Sequence, residues 1–145
     1  TCRSPMAEAL CRDMLSKRLN IAADELADHG FFVASAGVAA GYGSPASPES
    51  VELMRREQID LTGYESQPLS ERLLNHADFV YTMTRGHRSA VLASRPDLED
   101  RVQVLSRDGA DIPDPIGGGI DEYERCRDAI RKHLKIVLSE LPLPE

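Results

Sequence analysis

Segments with the apolar periodicity of helices alternate along this 145-residue chain with short apolar segments that are typical of buried strands. The predicted helices cover residues 4–20, 47–58, 84–94 and 122–141, and a shorter one begins at residue 70. The predicted strands cover residues 31–38, 79–83 and 102–105. This alternation predicts an α/β fold, in which an open, mostly parallel sheet has helices on both of its faces. In such sheets, ligands bind beyond the carboxyl ends of the strands.

Length and composition set broad limits on what the chain does. At 145 residues, we expect one domain with a sizeable core. The net charge of −7 argues against nucleic acid or an anionic membrane as a partner, and no apolar run approaches membrane-spanning length. No cysteine and histidine cluster has zinc spacing, so we expect no metal and no other cofactor. The few scattered cysteines predict a cytoplasmic protein, whereas the oligomeric state is not indicated.

The first residues have the pattern of a phosphate-binding loop that leads into a helix. Ser4 is a good N-cap, because its hydroxyl can accept a hydrogen bond from a free amide of the first turn. Pro5 suits the first helical position, where no amide donor is needed. Arg3 stands where free backbone N–H groups and the positive end of the helix dipole converge, and its planar fork matches phosphate oxygens. We therefore expect an anion site at Arg3.

Asp114 is the second candidate residue, in a segment whose prolines and glycines exclude regular structure over residues 111–119. Phosphoryl transfer through a covalent enzyme intermediate needs a nucleophile of low pKa, a cradle of amides with an arginine, and an acid that later acts as a base. Arg3 and Asp114 could supply the arginine and the acid. Taken singly, such an arginine is more often in a surface salt bridge, and such an aspartate is more often a turn residue.

Three motifs occur in a fixed order along the chain. Residues 1–8 read Thr-Cys-Arg-Ser-Pro-Met-Ala-Glu, residues 35–37 read Ser-Ala-Gly, and Asp114-Pro115 comes shortly before the last predicted helix. In this order they resemble the low-molecular-weight protein tyrosine phosphatases, and most of all their bacterial protein arginine phosphatase branch. The resemblance extends over essentially the whole chain. It implies that family's three-layer fold and a phosphoprotein phosphatase that forms a cysteinyl-phosphate intermediate.

The resemblance also implies roles for individual residues. Arg3 would grip the phosphoryl oxygens, and Ser4 would donate a hydrogen bond that keeps the nucleophilic thiolate poised. Asp114 would be the general acid of the first step and the general base of the second. Cys2 matches a second loop cysteine that in some members forms a reversible disulfide with the nucleophile. A small side chain packed under the loop is an equally weighted alternative for Cys2.

The nucleophile itself is not found by its spacing. The family's loop reads Cys, five residues, Arg, and then Ser or Thr, but none of the cysteines at positions 2, 11 and 126 has an arginine six positions later. We therefore expect a chain truncated at its N-terminus, without the nucleophile and the central first strand of the sheet, and inactive as it stands. Upstream, we expect a short apolar strand followed by Cys-Thr-Gly-Asn or a close variant.

The substrate is predicted from departures within the family pattern. Members that act on phosphotyrosine commonly have aromatic residues just after Asp-Pro, where this chain has Ile116 and Gly117. In having Thr1, the chain resembles the arginine phosphatases, in which a threonine at this loop position interacts with the phosphoguanidinium group. Tyr42 is the contrary sign, because it could line the cleft and stack on a tyrosine ring. The predicted substrate is therefore a phosphoarginine protein, with phosphotyrosine as the alternative.

Two further alternatives follow from the same features. Arsenate reductases resemble this chain in the loop, but they use further cysteines in and after a helix that corresponds to residues 84–94, where none occurs. A phosphate-binding module without catalysis is the other alternative, since kinship of fold does not establish activity. Asp114 argues against such a module, because binding alone does not need a positioned acid. The only partner predicted is the phosphorylated protein substrate.

Overall fold

The computed structural model describes residues 3–38 and 40–143, so Thr1 and Cys2 lie outside the described residues. The helices are α1 (Arg3–Leu19), α2 (Pro48–Arg56), α3 (Glu71–His76), α4 (Arg85–Ser94) and α5 (Ile120–Glu140). The strands are β1 (Val80–Thr82) and β2 (Val102–Val104), and short 3-10 turns lie at Ala23–Glu25, Ala27–His29 and Pro96–Leu98. In the described part of the chain, no helix is long and apolar enough to cross a membrane.

The two strands form a parallel sheet in which Val80 lies opposite Val102. Both faces of this sheet are covered. Val80 and Val102 pack in a cluster with Val91 of α4, whereas Tyr81 packs against the main core, which α1, α2 and α5 supply. Because successive strand residues point to opposite faces, each face of the sheet contributes to a different cluster. The predicted α/β class, with a parallel sheet between helical layers, is confirmed.

The prediction of a strand over residues 31–38 is wrong. Within this segment the described backbone makes a single bridge, from Gly37 to Pro68, and is otherwise irregular. The carbonyl oxygen of Val33 accepts a hydrogen bond of 2.7 Å from the guanidinium of Arg12. A side-chain donor therefore satisfies a backbone acceptor that a neighbouring strand would otherwise occupy, and among the described residues the pairing is limited to the bridge at Gly37.

The predicted N-cap at Ser4 is also wrong, because α1 already includes Arg3. Ser4 and Pro5 both lie within the first turn, where the amides have no partner inside the helix, so a proline costs no hydrogen bond there. The predicted starts of the next three helices agree with the structure. Ser70 accepts a hydrogen bond from the amide of Leu73, and Thr84 does so from that of His87. Ser47 precedes Pro48 as predicted, although its side chain makes no capping bond.

The last helix begins at Ile120, two residues before the predicted start, and Gly119 is its N-cap. The side chains predicted to be buried on this helix are buried, except for Leu141, which is half-buried: Tyr123, Cys126, Ile130, Leu134 and Val137. They pack on the apolar face of α1, where Met6 and Leu10 are almost inaccessible to solvent. The packing of α1 against α5 brings the start of α1 close to the segment that precedes α5. That segment, residues 111–119, contains no helix or strand, as predicted.

Candidate active site

The candidate site lies beyond the carboxyl ends of β1 and β2. The amide of Ile112 donates a 2.9 Å hydrogen bond to the carbonyl oxygen of Met83, which directly follows β1. Asp111 accepts a 2.8 Å bond from the amide of Arg85, the first residue of α4. These two bonds fasten the start of the segment of residues 111–119 beside the carboxyl end of β1, which is the usual location of a ligand site in a parallel sheet.

Arg3 reaches this segment from the start of α1. Its Nη1 donates a 2.7 Å hydrogen bond to the carbonyl oxygen of Ile112, and its side chain is only 15 % exposed. Its Nη2 lies 3.8 Å from Oδ2 of Asp114, which is an ion pair but too long for a hydrogen bond. One bond to a carbonyl therefore fixes the guanidinium plane. The donors that this bond does not use remain available for the oxygens of an anion.

Asp114 is held from within its own loop. Its Oδ1 accepts a 3.0 Å bond from the amide of Ile116, and the side chain is 45 % exposed. The amide of Gly118 then closes a turn with the carbonyl oxygen of Pro115, and Gly117 has a φ of 81°, a left-handed conformation that favours glycine. Asp114 is thus an oriented carboxylate that solvent and a bound substrate can both reach.

The Ser-Ala-Gly motif is anchored to α1 just below the site. The hydroxyl of Ser35 donates a 3.1 Å bond to Glu8, and it lies 3.1 Å from the hydroxyl of Tyr64. Glu8 is one helical turn beyond Ser4, which is half-buried in the first turn of α1. No role was predicted for Glu8 or Tyr64, since no spacing rule joins them to Ser35.

His87 is a further residue that the sequence analysis did not place at the site. Its half-buried side chain extends from the first turn of α4. Burial lowers the pKa of His87 below its ordinary value and Arg3 lowers it further, whereas Asp111 and Asp114 oppose the shift. The imidazole therefore lies within electrostatic range of the candidate pair. Its position just after a strand's carboxyl end was the signal available in the sequence.

The remaining predicted site residues do not join this cluster in the described structure. Tyr42 is 81 % exposed in a loop, and no hydrogen bond or ion pair connects it to Arg3 or Asp114. Thr1 and Cys2, the other two predicted residues, lie outside the described residues. The structure therefore brings Arg3, Ser4 and Asp114 to one end of the sheet and leaves Tyr42 on an exposed loop.

The described cysteines do not supply a nucleophile. Burial raises the pKa of the Cys11 thiol to about 11, and Cys126 is buried in the main core. A thiol must be ionised to attack phosphorus, so Cys11 is unreactive at neutral pH. Among the described residues, no group of three or more histidine, cysteine, aspartate and glutamate side chains could hold a metal ion.

Comparison with known proteins yields one family. A sequence model described as "Low molecular weight phosphotyrosine protein phosphatase" matches residues 1–142. A protein-arginine-phosphatase of Bacillus subtilis (strain 168) is 34% identical over 97% of this chain and 90% of the relative. A probable low molecular weight protein-tyrosine-phosphatase, EpsP of Ralstonia nicotianae, is 30% identical over 90% and 82% of the two chains. An arsenate reductase of Bacillus cereus (strain G9842) is 31% identical over 93% and 84%.

Solved structures agree with these relatives. A crystal structure of a YwlE mutant from Bacillus subtilis superposes with a TM-score of 0.83 at 33% identity, covering 99% of this chain and 93% of that one. The low molecular weight protein tyrosine phosphatase of T. tengcongensis superposes with a TM-score of 0.84 at 29% identity, covering 97% and 92% of the two chains.

Proposed function

Because the chain belongs to the low molecular weight phosphotyrosine protein phosphatase family, we propose that Arg3 and Asp114 serve a phosphatase that acts on phosphoarginine proteins. The matching family model and the protein-arginine-phosphatase and protein-tyrosine-phosphatase relatives describe protein phosphatases. The observation that carries the proposal is the 3.8 Å approach of Asp114 to Arg3 beyond the ends of the strands. It sets a phosphate-binding cation beside a partly exposed acid, which are two of the parts that the reaction needs.

The proposed reaction has two steps. A cysteine thiolate attacks phosphorus while Arg3 binds the equatorial oxygens, and Asp114 donates its proton to the leaving nitrogen as the phosphorus–nitrogen bond breaks. Asp114 then takes a proton from water, whose oxygen attacks the cysteinyl-phosphate and releases inorganic phosphate and the thiolate. Ser4 is proposed to donate a hydrogen bond to that thiolate.

The nucleophile belongs six positions before Arg3, a position that these 145 residues do not include. We therefore expect the 145-residue polypeptide to be inactive by itself. Tests of the mechanism use a completed chain, which we define as residues 1–145 preceded by a short apolar strand and Cys-Thr-Gly-Asn. Hydrolysis of a small aryl phosphate by residues 1–145 alone, lost on Arg3→Ala, would contradict this expectation.

Phosphoarginine is preferred to phosphotyrosine as the substrate for two reasons. Ile116 and the small residues Gly117 and Gly118 follow Asp114-Pro115. They stand where phosphotyrosine phosphatases would have an aromatic ring that stacks on the substrate. Two relatives that are 34% identical are protein-arginine-phosphatases. Thr1 is proposed to place its hydroxyl against the phosphoguanidinium group. Phosphotyrosine is the alternative, supported by Tyr42 and by the EpsP relative.

The substrate assignment is tested with matched peptides that differ only in phosphoarginine or phosphotyrosine. We expect the completed chain to give the higher kcat/KM with phosphoarginine. Thr1→Ile should lower the phosphoarginine value and raise the phosphotyrosine value, because it replaces a polar contact with apolar bulk. Thr1→Ser keeps the hydroxyl and should preserve the preference. The role of Thr1 is refuted if Thr1→Ile changes both activities by the same factor.

A further inference from the structure

A groove lined by three arginines lies beside the candidate active site. It is an open groove of about 510 Å³ between α4 and the end of β2, and its lining includes no acidic residue. The arginines are Arg85 and Arg88 on α4 and Arg107 in the turn after β2, and the other polar side chains are Ser89, Gln103 and Ser106. This local concentration of positive charge contrasts with a net charge of −7 for the chain. We name this feature the arginine groove.

The charge of Arg88 is not neutralised within the described structure. Its Nε donates a 2.8 Å hydrogen bond to the carbonyl oxygen of Val102 and its Nη2 a 3.5 Å bond to that of Glu99. Among the described residues, no carboxylate lies within 4.0 Å of the Arg88 guanidinium. Backbone carbonyls therefore hold the guanidinium in place, half-buried, while its full positive charge remains available to a ligand.

The other two arginines differ in how far acids compensate them. Arg85 is 75% exposed and lies 3.8 Å from Asp111, a distance and exposure at which an ion pair contributes little. Arg107 is paired with Glu140 at 2.7 Å and also donates to Gln103. The free positive charge of the groove is therefore concentrated at the α4 side, on Arg85 and Arg88.

Two hydrogen bonds link the start of α4, which contributes Arg85 to the arginine groove, to the segment that Arg3 contacts. Asp111 accepts the amide hydrogen of Arg85, and the next residue, Ile112, accepts a hydrogen bond from Arg3. A peptide chain advances about 3.3 Å per extended residue, so a segment next to a phosphorylated residue at Arg3 can reach the groove. The volume of the groove is in the range of sites that take several side chains rather than a single ion.

We propose that the arginine groove binds an acidic segment of the substrate protein that adjoins its phosphorylated residue. Carboxylates of this segment would bind the unpaired guanidinium of Arg88 and the exposed one of Arg85, and the hydroxyl and amide groups of the lining would meet its backbone. Because the rest of the molecule is acidic, the same charges would orient an acidic substrate toward the site. The proposal rests on the proposed function only in identifying the acidic segment as part of a substrate.

The test separates docking from catalysis. Three ligands are compared on the completed chain: a phosphopeptide with four flanking glutamates, the same phosphopeptide with four glutamines, and a small aryl phosphate. A labelled, unphosphorylated glutamate peptide measures binding without catalysis. We expect kcat/KM to be about five- to tenfold higher for the glutamate phosphopeptide, through KM, and to converge on the glutamine value at high salt.

Matched variants assign the effect to the groove. Arg85→Gln together with Arg88→Gln should abolish the preference and the peptide binding while leaving aryl phosphate hydrolysis unchanged. Arg88→Lys alone keeps the charge and should keep the preference for the glutamate phosphopeptide. This result would exclude that the double variant loses the preference only because Arg88 no longer bonds to backbone carbonyl oxygens. Arg72→Gln is the control for charge. Arg72 adjoins Glu71, and Glu71 pairs with Arg95. Arg95 lies at the other end of α4 from Arg85, about 15 Å away along the helix.

Each outcome decides one proposal. Equal kcat/KM for the two phosphopeptides, or a preference that survives the double variant, overturns the docking proposal even if aryl phosphate is hydrolysed. If the completed chain hydrolyses none of the three ligands, the proposed function fails. Docking then stands or falls on whether the unphosphorylated glutamate peptide binds and whether the double variant abolishes that binding.

Discussion

Arg3 and Asp114 are 111 positions apart in the sequence, and the segment of residues 111–119 orients both, through the carbonyl oxygen of Ile112 for Arg3 and the amide of Ile116 for Asp114. At the residue scale, the site is therefore as rigid as the segment that carries both Ile112 and Asp114. The sequence indicated both charged residues, because their types match phosphate chemistry. It did not indicate Glu8, Tyr64 or His87, whose contributions come from contacts between distant segments that no local pattern encodes.

Cys11 provides a residue-scale prediction. Burial raises the pKa of its thiol to about 11 from an ordinary value of 9.0, so the ionised fraction of the thiol becomes large only as the pH approaches 11. At pH 8, we expect iodoacetamide to alkylate Cys11 about a hundredfold more slowly in the folded completed chain than in urea. Peptide mapping by mass spectrometry measures the two rates. Equal rates in the folded and unfolded states would show that Cys11 is not buried as described.

At the element scale, helix starts and the apolar face of α1 were predictable because capping residues and 3.6-residue periodicity are local. The prediction of a strand over residues 31–38 was wrong because a strand needs a partner, and apolar composition alone does not provide one. The start of α1 was also predicted wrongly, because the helix already includes Arg3 rather than beginning after Ser4. A proline is tolerated throughout the first turn, so Pro5 does not mark a unique first residue.

Thr84 provides the element-scale prediction. Its hydroxyl accepts the amide hydrogen of His87 at the start of α4. We expect Thr84→Ala to lower the free energy of unfolding of the completed chain by about 1 kcal/mol, measured by urea denaturation. Thr84→Ser is the matched control, because it keeps a hydroxyl that can accept the same hydrogen bond, and it should cost less than half as much. An equal loss for the two variants would contradict this assignment of the Thr84 hydrogen bond.

At the scale of the whole molecule, the packing of α1 on α5 is what unites the site. It brings the first turn of α1 to the segment that precedes α5, and a backbone hydrogen bond from Ile112 to Met83 holds that segment beside the carboxyl end of β1. The alternation of elements was enough to predict this α/β architecture with a parallel sheet between helices. The arginine groove was not predictable, since its arginines come from a helix and from the turn after the neighbouring strand.

The central claim, that Arg3 and Asp114 act in one reaction with different roles, has a direct test in pre-steady-state kinetics. In the completed chain, Asp114→Asn with 4-nitrophenyl phosphate should release a burst of about one equivalent of nitrophenol. Turnover after the burst should be about 10²–10⁴-fold slower than in the parent chain. The good leaving group needs no acid, whereas hydrolysis of the cysteinyl-phosphate still needs the base. Arg3→Ala should show no burst, because it slows phosphoryl transfer itself. Linear turnover of Asp114→Asn at the parent rate would contradict the account.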